Sequence, residues 1–152
     1  MSYQDDSTPW SLEWTEELSV GIPEIDAEHR RFIRLVNELN DAISRRMDVV
    51  EIGKRMQAVL DDAVAHFQHE AVLFKEWGYP DASEHEQKHA QITRTLHEIR
   101  SQLANGGTEY EWVEAGLKIK KTLIDHLLNE DMKYRDYRRK NNVSSNSSRR
   151  LR

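Results

Sequence analysis

The sequence predicts an all-α protein, an antiparallel up-down-up-down four-helix bundle with an N-terminal extended arm. Apolar residues recur three and four positions apart along four stretches of the 152-residue chain, which is the spacing of side chains on one helix face. Glycine, proline and asparagine separate these stretches, and no alternating, strand-like pattern stands out. Helices of about 22 to 29 residues would span roughly 33 to 44 Å, long enough for a bundle with a buried centre.

The chain is predicted to begin with an extended arm that leads into the first helix. Residues 1–9 are polar and expected to be flexible, and the segment from Trp10 to about Pro23 is predicted to be extended because it contains Gly21 and Pro23. The first helix follows and is predicted to end near Arg46. Its inward stripe would consist of His29, Phe32, Ile33, Val36, Leu39 and Ile43.

The second helix is predicted from about Val49 to Trp77. Gly78, Tyr79 and Pro80 follow it, and proline cannot continue a helix. The three-and-four spacing defines a stripe of Ile52, Met56, Val59, Ala63, His66, Glu70, Leu73 and Trp77.

The third helix is predicted from about Ala82 to Leu103 and is stopped by Asn105 and two glycines. Its stripe would consist of His85, His89, Ile92, Leu96, Ile99 and Leu103.

The fourth helix should begin near Thr108, because Glu111 three residues later completes a capping box, and it should reach about Tyr137. Its stripe would consist of Trp112, Gly116, Ile119, Leu123 and His126.

These limits divide the chain into a flexible start (1–9), one domain (10–138) and a basic tail (139–152) that is expected to be disordered. Hydrophobic residues at 38% and charged residues at 32% suit a bundle with charged outer faces, and the net charge of −5 gives no reason to expect nucleic acid. The absence of cysteine excludes disulfides, thiolate metal sites and iron–sulfur clusters.

No signal peptide is evident at the start of the sequence, and no stretch has the ~18 apolar residues that a membrane span needs. We therefore expect a cytoplasmic protein.

Histidines and acidic residues occupy positions in the predicted stripes where leucine would be usual. Burying an ionised carboxylate such as Glu70 without a partner is costly, and a cation offsets that cost. The pattern therefore predicts a two-metal site. The candidate ligands are His29, His66, Glu70, His85, His89, His126 and Asp131. His69 and His97 lie off the inner stripes and are expected to be surface residues without a role.

Other interpretations account for fewer of these residues. HEQKH matches the HExxH zinc-peptidase signature, with Glu86 as the base between His85 and His89, but that interpretation needs strands and leaves the other candidates unexplained. A ferritin-like carboxylate site needs two ExxH pairs, and only Glu86 with His89 provides one. Ordinary buried histidines could explain one or two positions, but not five beside a buried glutamate.

Four motifs carry a resemblance to a known family: IDAEH around His29, HFQHE from His66 to Glu70, WGYP followed by HEQKH, and HLLNED from His126 to Asp131. Together they make the run from Trp14 to Tyr137 similar to the bacterial single-domain form of the hemerythrin domain. The resemblance implies two iron ions in a non-haem di-iron centre, with an oxo or hydroxo bridge, that binds O2 reversibly.

The resemblance also implies a role for each residue. His85, His89 and His126 would hold the coordinatively full iron, and His29 with His66 would hold the iron with an open position. Glu70 and Asp131 would bridge the two ions. The residues expected to form an apolar wall around the O2 pocket lie one helical step from ligands: Phe32, Phe67, Leu123 and Leu127.

From the resemblance we expect oxygen carriage, storage or delivery, with O2 as the ligand and an oxygen-consuming enzyme as a partner, rather than an enzyme. The stand-alone length supports this expectation, because sensors usually carry a signalling domain on the same chain. The main alternative is a di-iron enzyme that removes peroxide or nitric oxide, or a sensor of oxygen or iron. A weak peroxidase-like activity stays compatible with the site, and the sequence makes no prediction about the oligomeric state.

One ligand position conflicts with regular helix geometry. Five residues of a straight helix turn through about 500°, so Asp131 would point about 140° away from His126, whereas Glu130 would lie only about 40° away. The family pattern selects Asp131. Both can hold only if the helix is distorted, so we predict a wide turn of the i to i+5 kind between His126 and Asp131, with Glu130 turned towards solvent or a basic side chain.

Overall fold

The computed structural model describes residues 11–150, with side chains up to residue 141. The predicted fold class is confirmed: each of the four long helices packs against two neighbours in an up-down-up-down bundle, and the described range contains no strand. The helices are α1 (Pro23–Ser44), α2 (Val49–Trp77), α3 (Ala82–Leu103) and α4 (Glu109–His126). A π-helical segment, Leu127–Asp131, and α5 (Met132–Arg150) continue α4 without a break.

Local signals set the helix ends close to the predicted positions. Pro23 opens α1 at a position where a missing backbone N–H costs nothing, and α1 ends at Ser44, two residues before the end predicted near Arg46. The side chain of Asp48 caps α2 by accepting a hydrogen bond from the backbone N–H of Glu51 at 2.9 Å. The Asp48 cap lies in the α1–α2 turn, at the end of the bundle remote from the histidines.

Gly78 ends α2 in the left-handed conformation with φ of 64°, and the backbone N–H of Tyr79 donates to the carbonyl of Phe74 at 3.0 Å. This is the Schellman arrangement, and it aims α3 back along α2. At the opposite end of the bundle, the predicted capping box is confirmed, because Thr108 and Glu111 satisfy each other's backbone N–H groups.

The N-terminal arm is fixed along α1 by polar contacts. The backbone of Leu12 exchanges two hydrogen bonds with the side-chain amide of Asn37, at 2.9 and 2.8 Å. Further along, the buried carboxylate of Asp26 accepts from the Ser19 hydroxyl and from the backbone N–H of Val20. The predicted extended arm is interrupted only by the 3-10 turn Glu16–Leu18. Trp10 and the start expected to be flexible lie outside the described residues.

The core consists of two apolar clusters with the candidate ligands in contact with both. The larger cluster fills most of the bundle, and its Phe67 ring stacks on His89 at 3.9 Å. The smaller, aromatic cluster contains Phe74, whose ring meets His85 edge-on at 4.8 Å. The imidazoles are therefore held by packing on both sides.

The last helix is longer than the sequence predicted, because α5 continues to Arg150 rather than ending near Tyr137. Side chains beyond residue 141 are not described, and the division of the chain into a flexible start, one domain and a disordered basic tail stays a prediction. None of the described helices is both long and apolar enough to cross a membrane.

Candidate metal centre

All seven candidate ligands lie close together in the interior of one half of the bundle. None is more than 7% exposed, and Glu70 and His29 are completely buried. Every helix of the bundle contributes: α1 supplies one histidine, α2 a histidine and the glutamate, and α3 two histidines. The continuous last helix, formed by α4, the π-helical segment and α5, supplies a histidine and the aspartate. They form two polar groups that share the two carboxylates.

The first group, the three-histidine pocket, comprises His85, His89 and His126 with one oxygen from each carboxylate. The Nε2 atom of His126 lies 3.1 Å from the Nε2 atoms of both other histidines. Oε1 of Glu70 is 3.0 Å from Nε2 of His89, and Oδ1 of Asp131 is 3.1 Å from Nε2 of His85 and of His126. Five potential ligand atoms therefore face one point.

The second group, the two-histidine pocket, comprises His29 and His66 with the remaining carboxylate oxygens. Their Nε2 atoms are 3.1 Å apart. Oε2 of Glu70 is 3.2 Å from Nε2 of His66, and Oδ2 of Asp131 is 3.3 Å from Nε2 of His29. This pocket has four potential ligand atoms, one fewer than its neighbour, and the two carboxylates span both pockets.

These distances fit metal ions better than a network of hydrogen bonds. Oε1 of Glu70 and Oδ1 of Asp131 have no hydrogen-bond partner among the described residues, although imidazole nitrogens lie within 3.1 Å of them. For an ion about 2.1 Å from each donor, neighbours at right angles would be about 3 Å apart. Imidazole and carboxylate donors without thiolate suit iron. The residues present therefore fit non-haem iron, the metal that the family implies.

The charges of the site also favour cations. Burial alone would raise the pKa of Glu70, but His66 and the other imidazoles hold it well below its usual value. Burial alone would lower the pKa of His66, but Glu70 and Glu28 raise it to about 10. In the three-histidine pocket, Asp131 and Glu70 overcome the effect of burial and raise the pKa of His85 to about 9. The carboxylates stay ionised and attract positive charge into the pockets.

The predicted distortion of the last helix is confirmed. Residues Leu127–Asp131 form a π-helical segment, and the wide turn brings Asp131 back beneath His126. Glu130 turns aside as expected, with its carboxylate 3.2 Å from Lys88 and 3.4 Å from Lys133. The structure therefore resolves the conflict between spacing and family pattern in favour of Asp131 facing the centre.

The proposed apolar wall is buried as expected. Phe32 meets His29 edge-on at 5.5 Å, and Phe67 stacks on His89 and lies 6.0 Å from His66. Leu123 and Leu127 are 4% and 0% exposed and lie on either side of His126 in the chain. Lining of an O2 pocket by these four residues stays a prediction.

Glu86 is exposed, whereas its neighbours His85 and His89 face the buried carboxylates. That separation does not support the peptidase interpretation. His97 is exposed, as expected.

Sequence reasoning missed three residues at the edge of the site. Glu28 contacts His66 and His69, each with an oxygen-to-Nδ1 distance of 2.6 Å, so His69 is not the isolated surface residue that was predicted. The buried hydroxyl of Tyr134 donates to Oε2 of Glu70 at 2.5 Å. Glu28 and His69 lie inside the motifs IDAEH and HFQHE, and Tyr134 is three residues after the motif that ends at Asp131. That proximity was the available signal.

Comparison with known proteins agrees with this geometry. The family described as "Hemerythrin HHE cation binding domain" matches residues 20–137. Bacteriohemerythrin of Stenotrophomonas maltophilia is 30% identical over 125 residues, covering 82% of this chain and 80% of the relative. Bacteriohemerythrin of Pseudomonas aeruginosa is 29% identical with the same coverage. The hemerythrin-like protein of Naegleria gruberi is 25% identical over 84% of this chain and 93% of its own length. The chain belongs to the hemerythrin family.

Proposed function

We propose that this protein binds O2 reversibly at a di-iron centre and serves in oxygen carriage, storage or delivery. The observation that supports this proposal is the inequality of the two pockets, with five potential ligand atoms in one and four in the other. With six donors around each ion and one solvent-derived oxo or hydroxo group shared by both, the three-histidine pocket would have no room for a further ligand, whereas the two-histidine pocket would have room for one. An open position at one ion is what a reversible ligand requires.

The seven ligands have distinct roles in this proposal. His85, His89 and His126 would hold one ion and His29 and His66 the other, with Glu70 and Asp131 each offering one oxygen to either pocket. Ferrous iron held there would supply the electrons for reversible O2 binding. The hydroxyl of Tyr134 donates to Oε2 of Glu70 and fixes the orientation of that carboxylate.

The surrounding residues favour release of O2 over loss of superoxide or hydrogen peroxide. Reduced oxygen species need protons or water in order to leave the site, and the wall of Phe32, Phe67, Leu123 and Leu127 is at most 8% exposed. A dry, apolar wall therefore makes irreversible oxidation of the iron slow. Delivery to an oxygen-consuming enzyme and the cytoplasmic location stay predictions.

The experiment is optical titration of the iron-loaded protein. After anaerobic reduction, O2 should produce a visible charge-transfer band that disappears when O2 is removed and returns when it is readmitted. The exposed His97→Gln variant should behave like the wild type, and His66→Gln should lose the band. Rapid, irreversible oxidation with turnover of added peroxide or nitric oxide would instead identify an enzyme and reject the carrier role.

A further inference from the structure

One carboxylate on the outer side of the two-histidine pocket joins α1 to α2. Oε1 of Glu28 lies 2.6 Å from Nδ1 of His66, and Oε2 lies 2.6 Å from Nδ1 of His69. The side chains of Glu28 and His69 are each 32% exposed, whereas that of His66 is only 4% exposed. We call Glu28 and His69 the outer clamp, since they connect a buried candidate ligand to the protein surface.

The geometry fixes which nitrogen of His66 faces which partner. Nε2 points at Glu70 and His29 inside the pocket, so Nδ1–H is left to donate to Glu28. Such a bond sets the tautomer of a metal-binding imidazole, orients its ring and increases its basicity. Because His69 contacts the second oxygen of Glu28, both oxygens of the carboxylate are fixed by hydrogen bonds.

The other imidazole of this pocket lacks comparable support. Nδ1 of His29 is buried and has no hydrogen-bond partner within residues 11–141. Within this part of the chain, the bond to Glu28 is therefore what orients an imidazole of the two-histidine pocket from outside. This pocket also has one potential ligand atom fewer than its neighbour, so loss of one well-oriented donor has a larger effect there.

We propose that Glu28, held by His69, is a positioning residue that selectively strengthens binding of the ion in the two-histidine pocket. The inference rests on the two-metal centre of the proposed function. It makes retention of the ion with the open position depend on the α1–α2 contact, whereas the ion in the three-histidine pocket is independent of it.

The test measures anaerobic Fe²⁺ binding to the metal-free full-length protein by equilibrium dialysis against a competing chelator. Glu28→Ala should weaken one of the two ions by about 10- to 100-fold and leave the other unchanged. His69→Ala should shift the same ion by less. Glu28→Gln should restore part of the affinity, because an amide can still accept from His66.

Glu86→Ala is the matched control, since Glu86 is an exposed carboxylate next to the candidate ligand His85 as Glu28 is next to His29. It should retain both ions. Equal weakening of both ions by Glu28→Ala, or no weakening, would overturn the positioning role. If Glu28→Ala does not fold, His69→Ala decides by the same criterion. If the wild-type protein holds two ions but does not bind O2 reversibly, the proposed function is rejected and the role of the outer clamp is still decided by the variants. If the wild-type protein holds fewer than two ions, the proposed function and the role of the outer clamp are both rejected.

Discussion

The two halves of this bundle bury their helix faces with different chemistry. The half near the α1–α2 turn, here the apolar end, is filled by side chains such as Leu39, Ile43, Met56 and Ile99, each at most 5% exposed. The other half, the metal end, buries seven polar side chains at equivalent stripe positions. Apolar burial stabilises the first half by itself, whereas burial of polar groups in the second half carries a desolvation cost that bound cations would offset. The proposed metal centre thus predicts a self-sufficient half and a metal-dependent half in one fold.

Removing the metal should expose this difference most strongly. Chelation leaves Glu70, Asp131 and five imidazoles facing one another, so the metal-free protein should unfold at a lower temperature. An ion present at a thousand times its Kd adds about 4 kcal/mol to the free energy of unfolding. Calorimetry before and after chelation, followed by restoration with Fe²⁺, measures the change. Equal melting temperatures with and without iron would show that the metal end is stable without cations.

Two neighbouring carboxylates provide the next test. Asp131→Ala should lose iron, because both oxygens of Asp131 face candidate imidazole ligands. Glu130→Ala should retain iron and lose less than about 1 kcal/mol, since it removes only the contacts with Lys88 and Lys133 near the surface. Iron per chain after gel filtration distinguishes the variants. The reverse result would assign the bridge to Glu130 and contradict the role given to the π-helical segment.

A cavity in each half should have the same energetic cost but different chemical effects. Leu123→Ala and Leu39→Ala each remove a side chain that is at most 4% exposed and should cost about 2 to 5 kcal/mol. Only Leu123, one turn before His126, should admit water to the centre and accelerate oxidation of the oxygenated form to the ferric form. Stopped-flow absorbance gives this rate. Equal oxidation rates in both variants would remove Leu123 from the O2 pocket.

The smallest expected effect concerns a buried polar contact at the apolar end. Asn40 is buried and donates to the carbonyls of Val36 and Gly116. A Cβ at Gly116 would stand 2.1 Å from Oδ1 of Asn40, so Gly116→Ala should cost about 1 to 3 kcal/mol. Gly53→Ala is the matched control, because its Cβ would meet nothing within 4 Å and alanine favours the helix by about 0.5 to 1 kcal/mol. Denaturant unfolding should show opposite signs.

The sequence could predict features that depend on helical spacing. Four stripes predicted the bundle and brought the histidines together, and the ends of α2 and α3 followed from Gly78, Pro80 and the glycines after Leu103. The distortion at Asp131 was also predictable, because a five-residue spacing could not otherwise bring both side chains to one point.

Contacts between the sides of two helices were not predictable in this way. Glu28 and His69 both lie off the inner stripes, and their meeting depends on the rotation of α1 against α2 rather than on either sequence alone. Tyr134 faces Glu70 because the π-helical segment changes the helical register of the residues that follow it. The candidate ligands could therefore be predicted from the sequence. The residues that contact them from outside could be identified only once the packing of the helices was known.

The seven buried ligand candidates are proposed to form two unequal iron sites. The most direct measurement is a crystal structure of the iron-loaded protein with anomalous scattering at the iron edge. It should show two iron positions: one contacting His85, His89 and His126, the other His29 and His66, with Glu70 and Asp131 between them at about 2.0 to 2.2 Å. A single iron position, or Glu130 within that distance while Asp131 lies outside it, would contradict the account.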